Sequence, residues 1–290
     1  MRGKAVAPSI LALLQGEGSI ALPGAYDALS ARCAEVAGCR ALHVTGAGVS
    51  CSMGYPDVGL VTQTEMVDRV REIARVVDLP VIADADTGYG GVTNVRRTVE
   101  MFEAAGVAGI HLEDQREPKR CGQLAGKTVI PVEEMQTKIE AAIAARRSPD
   151  FCIVARTDAR ESGGVAEVIK RCTAYFEAGA HCVFPMALQS EDDLRRVAKA
   201  VPGPKMITAT HGGKTPMLAR DEFAALGYRL VVFAMSPLMT ATHALQAVMA
   251  AIARDGSDQA VRDSLTPMLD VYNLVGLADY QSWEQRFATR

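Results

Sequence analysis

Apolar positions along this chain recur in one compound pattern. A short run of Val, Ile, Leu and Ala is followed by a turn and then by a longer stretch with apolar residues at helical spacing. The short runs predict strands at 19–23, 41–45, 80–84, 109–113, 151–156, 182–185, 205–208 and 229–233. The longer stretches predict helices at 25–37, 62–77, 92–105, 131–147, 165–178, 191–200, 220–226 and 237–254, with more helix in the tail to Arg290. Thr62 and Glu65 mark one helix start, and Pro131 with Glu133 and Glu134 marks another. Between them, 51–60 reads as a loop punctuated by Gly and Pro.

Apolar strands that each lead into a helix imply a parallel sheet closed into a (β/α)8 TIM barrel. Residues 1–290 read as one such domain, with 255–290 as a C-terminal helical extension. An open, doubly wound sheet is the alternative, but Gly46 and Gly48 lack the third glycine of a dinucleotide fingerprint.

Composition narrows the function classes. Apolar residues make up 49% of the 290, enough for a sizeable core, and the net charge of −3 offers nothing to nucleic acid or an anionic membrane surface. An odd set of seven cysteines without pairing rhythm points to a reducing, cytoplasmic setting. The opening MRGKAVAPSILALL imitates a secretion signal, but Pro8 interrupts it and Gln15 to Gly18 offers no cleavage site, so it reads as an opening helix. No stretch approaches the roughly 20 apolar residues that span a membrane. Cys33, Cys39, Cys152, Cys172 and Cys182 read as buried small hydrophobes, and His43 and His181 as core or strand-end residues.

A barrel places its chemistry at the carboxyl ends of its strands. There the sequence offers Tyr26 and Asp27, then Thr45, Gly46 and Ala47, then Asp84, Asp86 and Tyr89. Further round come Glu113 and Asp114, then Arg156, Met186, and the segment from Thr208 to Lys214. Asp57, Asp84, Asp86 and Glu113 supply hard oxygen donors without a zinc-type histidine or thiolate set, which suits Mg²⁺, with Mn²⁺ as a substitute. Arg156 can balance these acids or clamp a substrate carboxylate, and the N–H groups of Gly46 and Ala47 can hold another. Cys121, flanked by Lys119 and Arg120 and followed by Gly122, is expected to be biased toward thiolate.

Several stretches in order carry a resemblance: PGAYDALSA (23–31), TGAGVSCSMGYPDVGL (45–60), PVIADADTGYGG (80–91), GIHLEDQ with KRCG (109–122), VARTDA (154–159) and GGKTP (212–216). Over most of its length the chain resembles the isocitrate lyase and phosphoenolpyruvate mutase superfamily. KRCG is similar to the lyase branch, within which the chain resembles the methylisocitrate and 2,3-dimethylmalate type, and GGKTP with the Trp-containing tail (280–287) leans toward dimethylmalate-like members. The resemblance implies a homotetramer in which the last barrel helix is swapped between subunits. By position it implies that Asp84 binds Mg²⁺ directly, while Asp57, Asp86 and Glu113 act through its waters. Tyr26, Thr45, Gly46, Ala47 and Arg156 would hold a small anionic carboxylate substrate, with Asp57, Gln123, Thr208 and His211 also bordering it. Cys121 would protonate the departing enolate, Tyr89 would be the base, and Lys119 with Arg120 would stabilise charge on a closing loop.

The implied reaction cleaves the C2–C3 bond of a 2-hydroxy di- or tricarboxylate, giving a 2-keto acid and a second carboxylic acid. Four positions depart from the lyase pattern. Gln123 stands for a histidine, Met186 for a glutamate, Thr208 for an asparagine and His211 for a glutamate. These changes keep open a hydrolase or decarboxylase of an oxaloacetate-like acid, and a non-catalytic anion-binding descendant.

Overall fold

The computed structural model describes residues 9–288. Its strands are β1 (Ile20–Ala25), β2 (Leu42–Val44), β3 (Val81–Asp84), β4 (Gly109–Glu113), β5 (Cys152–Thr157), β6 (Cys182–Pro185), β7 (Met206–Thr208) and β8 (Leu230–Phe233). They run parallel in the order β6-β5-β4-β3-β2-β1-β8-β7. A bridge between Val183 and Lys205, with the Val183 N–H donating to Pro204 O at 3.2 Å, joins β6 to β7 and closes the sheet. The (β/α)8 barrel predicted from the alternation is therefore present, with helices beyond it at the C-terminus.

The strand side chains sort by parity into two apolar layers. Outward residues such as Val81, Ala83, Ile110, Leu112, Ile153 and Ala155 join the cluster shared with the surrounding helices. Inward residues such as Leu22, Ile82, Val154, Phe184, Met206 and Val232 fill the barrel. This alternation is the period-two geometry of a strand, and it decides which polar residues enter the site. The short helix α1 (Ile10–Gln15) adds Ile10, Leu13 and Leu14 to the inner cluster. The part of the expected opening helix at 1–8 lies outside the described residues.

Most expected helices recur with small boundary shifts, as α2 (Ala28–Val36), α4 (Gln63–Val76), α5 (Val92–Ala104), α6 (Val132–Ala145), α8 (Glu191–Ala200) and α9 (Arg220–Ala225). Three findings differ. A helix, α3 (Gly46–Ser52), follows β2 where none was expected and takes in the first two residues of the loop read at 51–60, because the Thr45 side chain caps it by accepting from Gly48 N. Helix α7 (Arg160–Glu177) begins before the predicted 165, kinked at Gly164, whose φ of 71° favours glycine. Cys33 is exposed on α2 instead of buried.

After β8 come α10 (Ser236–Asp255), α11 (Met268–Leu274) and α12 (Leu277–Phe287). These three carry exposed Leu245, Met249, Ile252, Met268, Tyr280 and Trp283. Among the described residues no helix is long and apolar enough to cross a membrane.

Candidate active site

At the carboxyl ends of the strands, a cavity is lined by Thr45, Ala47, Asp57, Asp84, Cys121, Gln123, Arg156 and Thr208. Parity explains the set. On β3, Asp84 follows inward Ile82 by two, and on β5, Arg156 follows inward Val154 by two. Gly46 is required beside Asp84, since a Cβ there would lie 2.6 Å from Asp84 Oδ2.

Charge is concentrated and almost wholly buried. Arg156 donates through Nε to Asp158 Oδ2 at 2.8 Å and through Nη2 to Asp158 Oδ1 at 3.2 Å. Its Nη1 lies 2.9 Å from Glu113 Oε2 across the β4–β5 register. Lys119 Nζ pairs with Asp57 and lies 2.6 Å from Asp86 Oδ1. Five carboxylates, of Asp57, Asp84, Asp86, Glu113 and Asp158, thus face two cations.

The shifts follow from that imbalance. Burial pushes the Asp86 carboxyl up to about 7 despite Lys119, with Asp84 adding to the rise. Burial likewise raises Glu113 well above the ordinary glutamate value, opposed by Arg156. Burial also raises Asp84, but His111, Lys119 and Arg156 outweigh it and hold the group below the usual range. Lys119 loses charge stability to burial and regains more from Asp86, Asp84 and Asp57, so it stays protonated.

A hydrated divalent cation fits these residues. Glu113 Oε1 is a buried oxygen without a hydrogen bond, and Asp86 Oδ1 is faced only by the Lys119 ammonium at 2.6 Å. Among the described residues no three His, Cys, Asp or Glu side chains converge to wrap one ion directly.

Cys121 lies on the cavity wall, its N–H donating to Asp57 O at 2.9 Å. The expected thiolate bias is not found. Burial pushes the thiol up, Asp57 adds to this, and Arg156 and Lys119 only partly oppose it. Lys119 has turned into the acid cluster, and Arg120 is exposed. The loop is held from outside the cavity. Glu161 accepts from Gly126 N at 2.9 Å, Lys214 Nζ at 3.2 Å and Lys127 Nζ at 3.3 Å.

Other expected residues fall outside the lining. Tyr26 packs beside α3, where a Cβ on Gly48 would lie 3.2 Å from its own Cβ. Asp27 caps α2 with Ser30. Asp114 turns away from the cavity and accepts from Tyr175 at 2.7 Å and Arg171 at 3.0 Å. Tyr89 sits behind Asp86, and burial with Asp86 and Asp84 raises its phenol well above the ordinary value. That setting favours a neutral phenol, the opposite of what a base requires. His211 is exposed in the turn after β7 and does not line the cavity.

Two histidines of the lining had no site role in the sequence reading. His43 and His111 stack with centroids 5.1 Å apart and share an Nε2–Nε2 hydrogen bond of 2.9 Å. Burial lowers them to about 3 and about 4, so both are neutral and only one carries its proton on Nε2. His111 Nδ1 stands 3.6 Å from Asp84 Oδ1. The available signal was parity, since each histidine lies two residues before a rim residue, Thr45 or Glu113.

The sequence pattern of the phosphoenolpyruvate phosphomutase family matches residues 10–253. The chain belongs to this family, within the isocitrate lyase/phosphoenolpyruvate mutase superfamily. The 2,3-dimethylmalate lyase of Eubacterium barkeri is 41% identical over 278 residues, 96% of each chain. Among solved structures, oxaloacetate acetylhydrolase bound to the inhibitor 3,3-difluorooxalacetate has a TM-score of 0.92 at 35% identity, covering 98% of this chain and 97% of that one. Phosphonopyruvate hydrolase complexed with oxalate and Mg²⁺ has a TM-score of 0.88 at 31% identity, covering 97% and 98%. The superfamily is metal-dependent, and one of the solved structures similar to this chain contains Mg²⁺.

Proposed function

We propose that the protein is a Mg²⁺-dependent carbon–carbon lyase that cleaves a 2-hydroxy acid to a 2-keto acid and a second carboxylic acid. The observation that carries this reading is Cys121, a thiol kept protonated by burial on the wall of a cavity that also holds Asp84 and Arg156. The lyase name of the Eubacterium barkeri relative supports it.

The chain's residues divide the work. Thr45, Gly46 and Ala47 present the capped start of α3 to one carboxylate, and Arg156 offers its remaining N–H groups to the other. Asp84 would hold the metal ion, and Asp57, Asp86 and Glu113 would assist it through hydrogen-bonded water. Bound there, Mg²⁺ supplies Lewis-acid stabilisation of the substrate oxygens. The hydroxyl proton leaves to the carboxylate cluster around Asp86, and the C2–O⁻ electrons form the keto group as the C2–C3 pair departs. That pair spreads into the departing carboxylate as an enolate, and Cys121 S–H delivers the proton to C3. Protonation of the resulting thiolate by the released hydroxyl proton closes the cycle. Tyr89, a neutral phenol beside Asp86 whose hydroxyl has no partner in the structure, would be available as a hydrogen-bond donor.

A second reading, hydrolysis of an oxaloacetate-like acid, is favoured by the likeness to oxaloacetate acetylhydrolase. Product analysis with Mg²⁺ on 2,3-dimethylmalate, 2-methylisocitrate, isocitrate and oxaloacetate separates the two. A 2-keto acid from a hydroxy acid, lost in Cys121→Ser, supports the lyase. Turnover of oxaloacetate alone selects the hydrolase.

The assembly we infer is a homotetramer with the last helices exchanged between copies. The exposed apolar residues of α10, α11 and α12 support it, because a second copy of the same face would cover them.

A further inference from the structure

The cavity lining is not charged throughout. Besides Asp57, Asp84 and Arg156 it includes apolar Met186, Phe184, Val232, Ala234 and Met235. Phe184 lies against the Arg156 guanidinium, 5.8 Å from ring centroid to Cζ. Met186 is buried to 7% exposure and meets the catalytic loop directly. A Cβ on Gly122 would lie 2.6 Å from Met186 Cγ and 2.6 Å from Arg156 Nη2, so loop, thioether and guanidinium touch at one point. Gln123 sits above them. Its Oε1 accepts from Lys214 N at 2.8 Å, and its Nε2 lies 3.8 Å from Met186 Sδ.

From this arrangement we infer that Met186, with Gln123, makes the enzyme select a dicarboxylate whose departing fragment ends in hydrogen or a small alkyl group, and reject a tricarboxylate. The inference rests on the carbon–carbon cleavage proposed above, since that reaction defines the departing fragment.

Charge availability is the reason. A third carboxylate on the departing side needs a cation or several donors. Lys119 is committed to Asp57 and Asp86, and Arg156 to Glu113 and Asp158 while serving the second carboxylate. What remains is neutral. The Thr208 hydroxyl contacts Thr210 Oγ1 and Val232 O, both at 3.3 Å, the Gln123 Oε1 is taken by Lys214 N, and its Nε2 meets a weak sulfur acceptor. An alkyl group, in contrast, gains contact with Met186, a flexible apolar side chain that adapts to it. Met186 also places no carboxylate beside Arg156, so the guanidinium keeps its free N–H groups for substrate.

The test pairs two probes that differ in the departing side: 2,3-dimethylmalate, with a methyl group at C3, and 2-methylisocitrate, with a carboxymethyl group. Their kcat/KM values are measured with Mg²⁺ on the wild-type protein, Met186→Leu and Met186→Gln. Their binding is measured by calorimetry on Cys121→Ser. The dicarboxylate should be preferred on the order of a hundredfold in wild type. Met186→Leu should keep that ratio, and Met186→Gln, which adds a donor of similar size, should reduce it tenfold or more. Equal turnover or binding of the tricarboxylate by wild type overturns the inference, whether or not Met186→Gln folds. If neither acid is cleaved, the lyase reading fails, while the binding ratio still decides for or against the selectivity.

Discussion

The ammonium of Lys119 lies 2.6 Å from Asp86 Oδ1, so a cation of the cysteine loop is built into the acid cluster of the neighbouring strand end. Lys119 is only 4% exposed, and removing it leaves Asp57 and Asp86 uncompensated in a buried setting. Lys119→Met is expected to lower unfolding free energy by about 3 kcal/mol and to abolish turnover. Urea denaturation beside an activity assay checks both effects.

The acid cluster is the proposed seat of the metal, and Asp84 is the residue to remove. Mg²⁺ should raise the melting temperature of the wild-type protein in a concentration-dependent way, because it binds only the folded state. EDTA should abolish turnover, and Asp84→Asn should lose the Mg²⁺-dependent rise. Thermal melts at several Mg²⁺ concentrations read this directly.

Burial raises the Cys121 thiol, so it is protonated at neutral pH and reacts slowly there. Iodoacetamide inactivation should be slow at pH 7 and accelerate as pH rises above the ordinary thiol value. Exposed Cys33 should be labelled first. Peptide mapping of alkylated sites against pH checks the order and the sign.

Glu161 fastens the cysteine loop from outside the cavity, and the Gly126 N–H bond leads in lowering its carboxyl to about 2. A lowered group contributes its stability above the unfolded value, about 4.3, and loses it as pH falls toward 2. Glu161→Gln should therefore loosen the loop at pH 7 while leaving the fold intact. The expected loss is about 1 kcal/mol or less, roughly fivefold in kcat/KM, since the side chain is partly exposed. Steady-state kinetics and limited proteolysis of the loop measure it.

The exchanged-helix tetramer predicts that Met249→Glu on α10 shifts the protein to smaller species. Light scattering after size exclusion would show one tetrameric mass for wild type and a lower mass for the variant.

The barrel was legible because eight apolar runs and their helices repeat a local rule, and the acids at 84, 86 and 113 follow from strand ends. The thiol's character was not legible. Adjacent Lys119 and Arg120 suggested a cationic setting, but folding sends Lys119 to the acids and Arg120 to solvent. The His43–His111 contact also escaped, because it joins strands 68 positions apart in sequence and only inward parity marks either residue. His211 was placed at the pocket by the strand end it follows and by the lyase glutamate it replaces, while the turn after β7 leaves it exposed.

The most direct test of the account is cleavage of 2,3-dimethylmalate in D₂O with Mg²⁺, followed by NMR, for wild type and Cys121→Ser. Proton delivery by a solvent-exchanged Cys121 thiol predicts a 2-keto acid and a partner acid carrying one deuterium at the former C3. Both should be lost in the variant. Deuterated product formed equally well by Cys121→Ser, or cleavage of oxaloacetate alone, would contradict it.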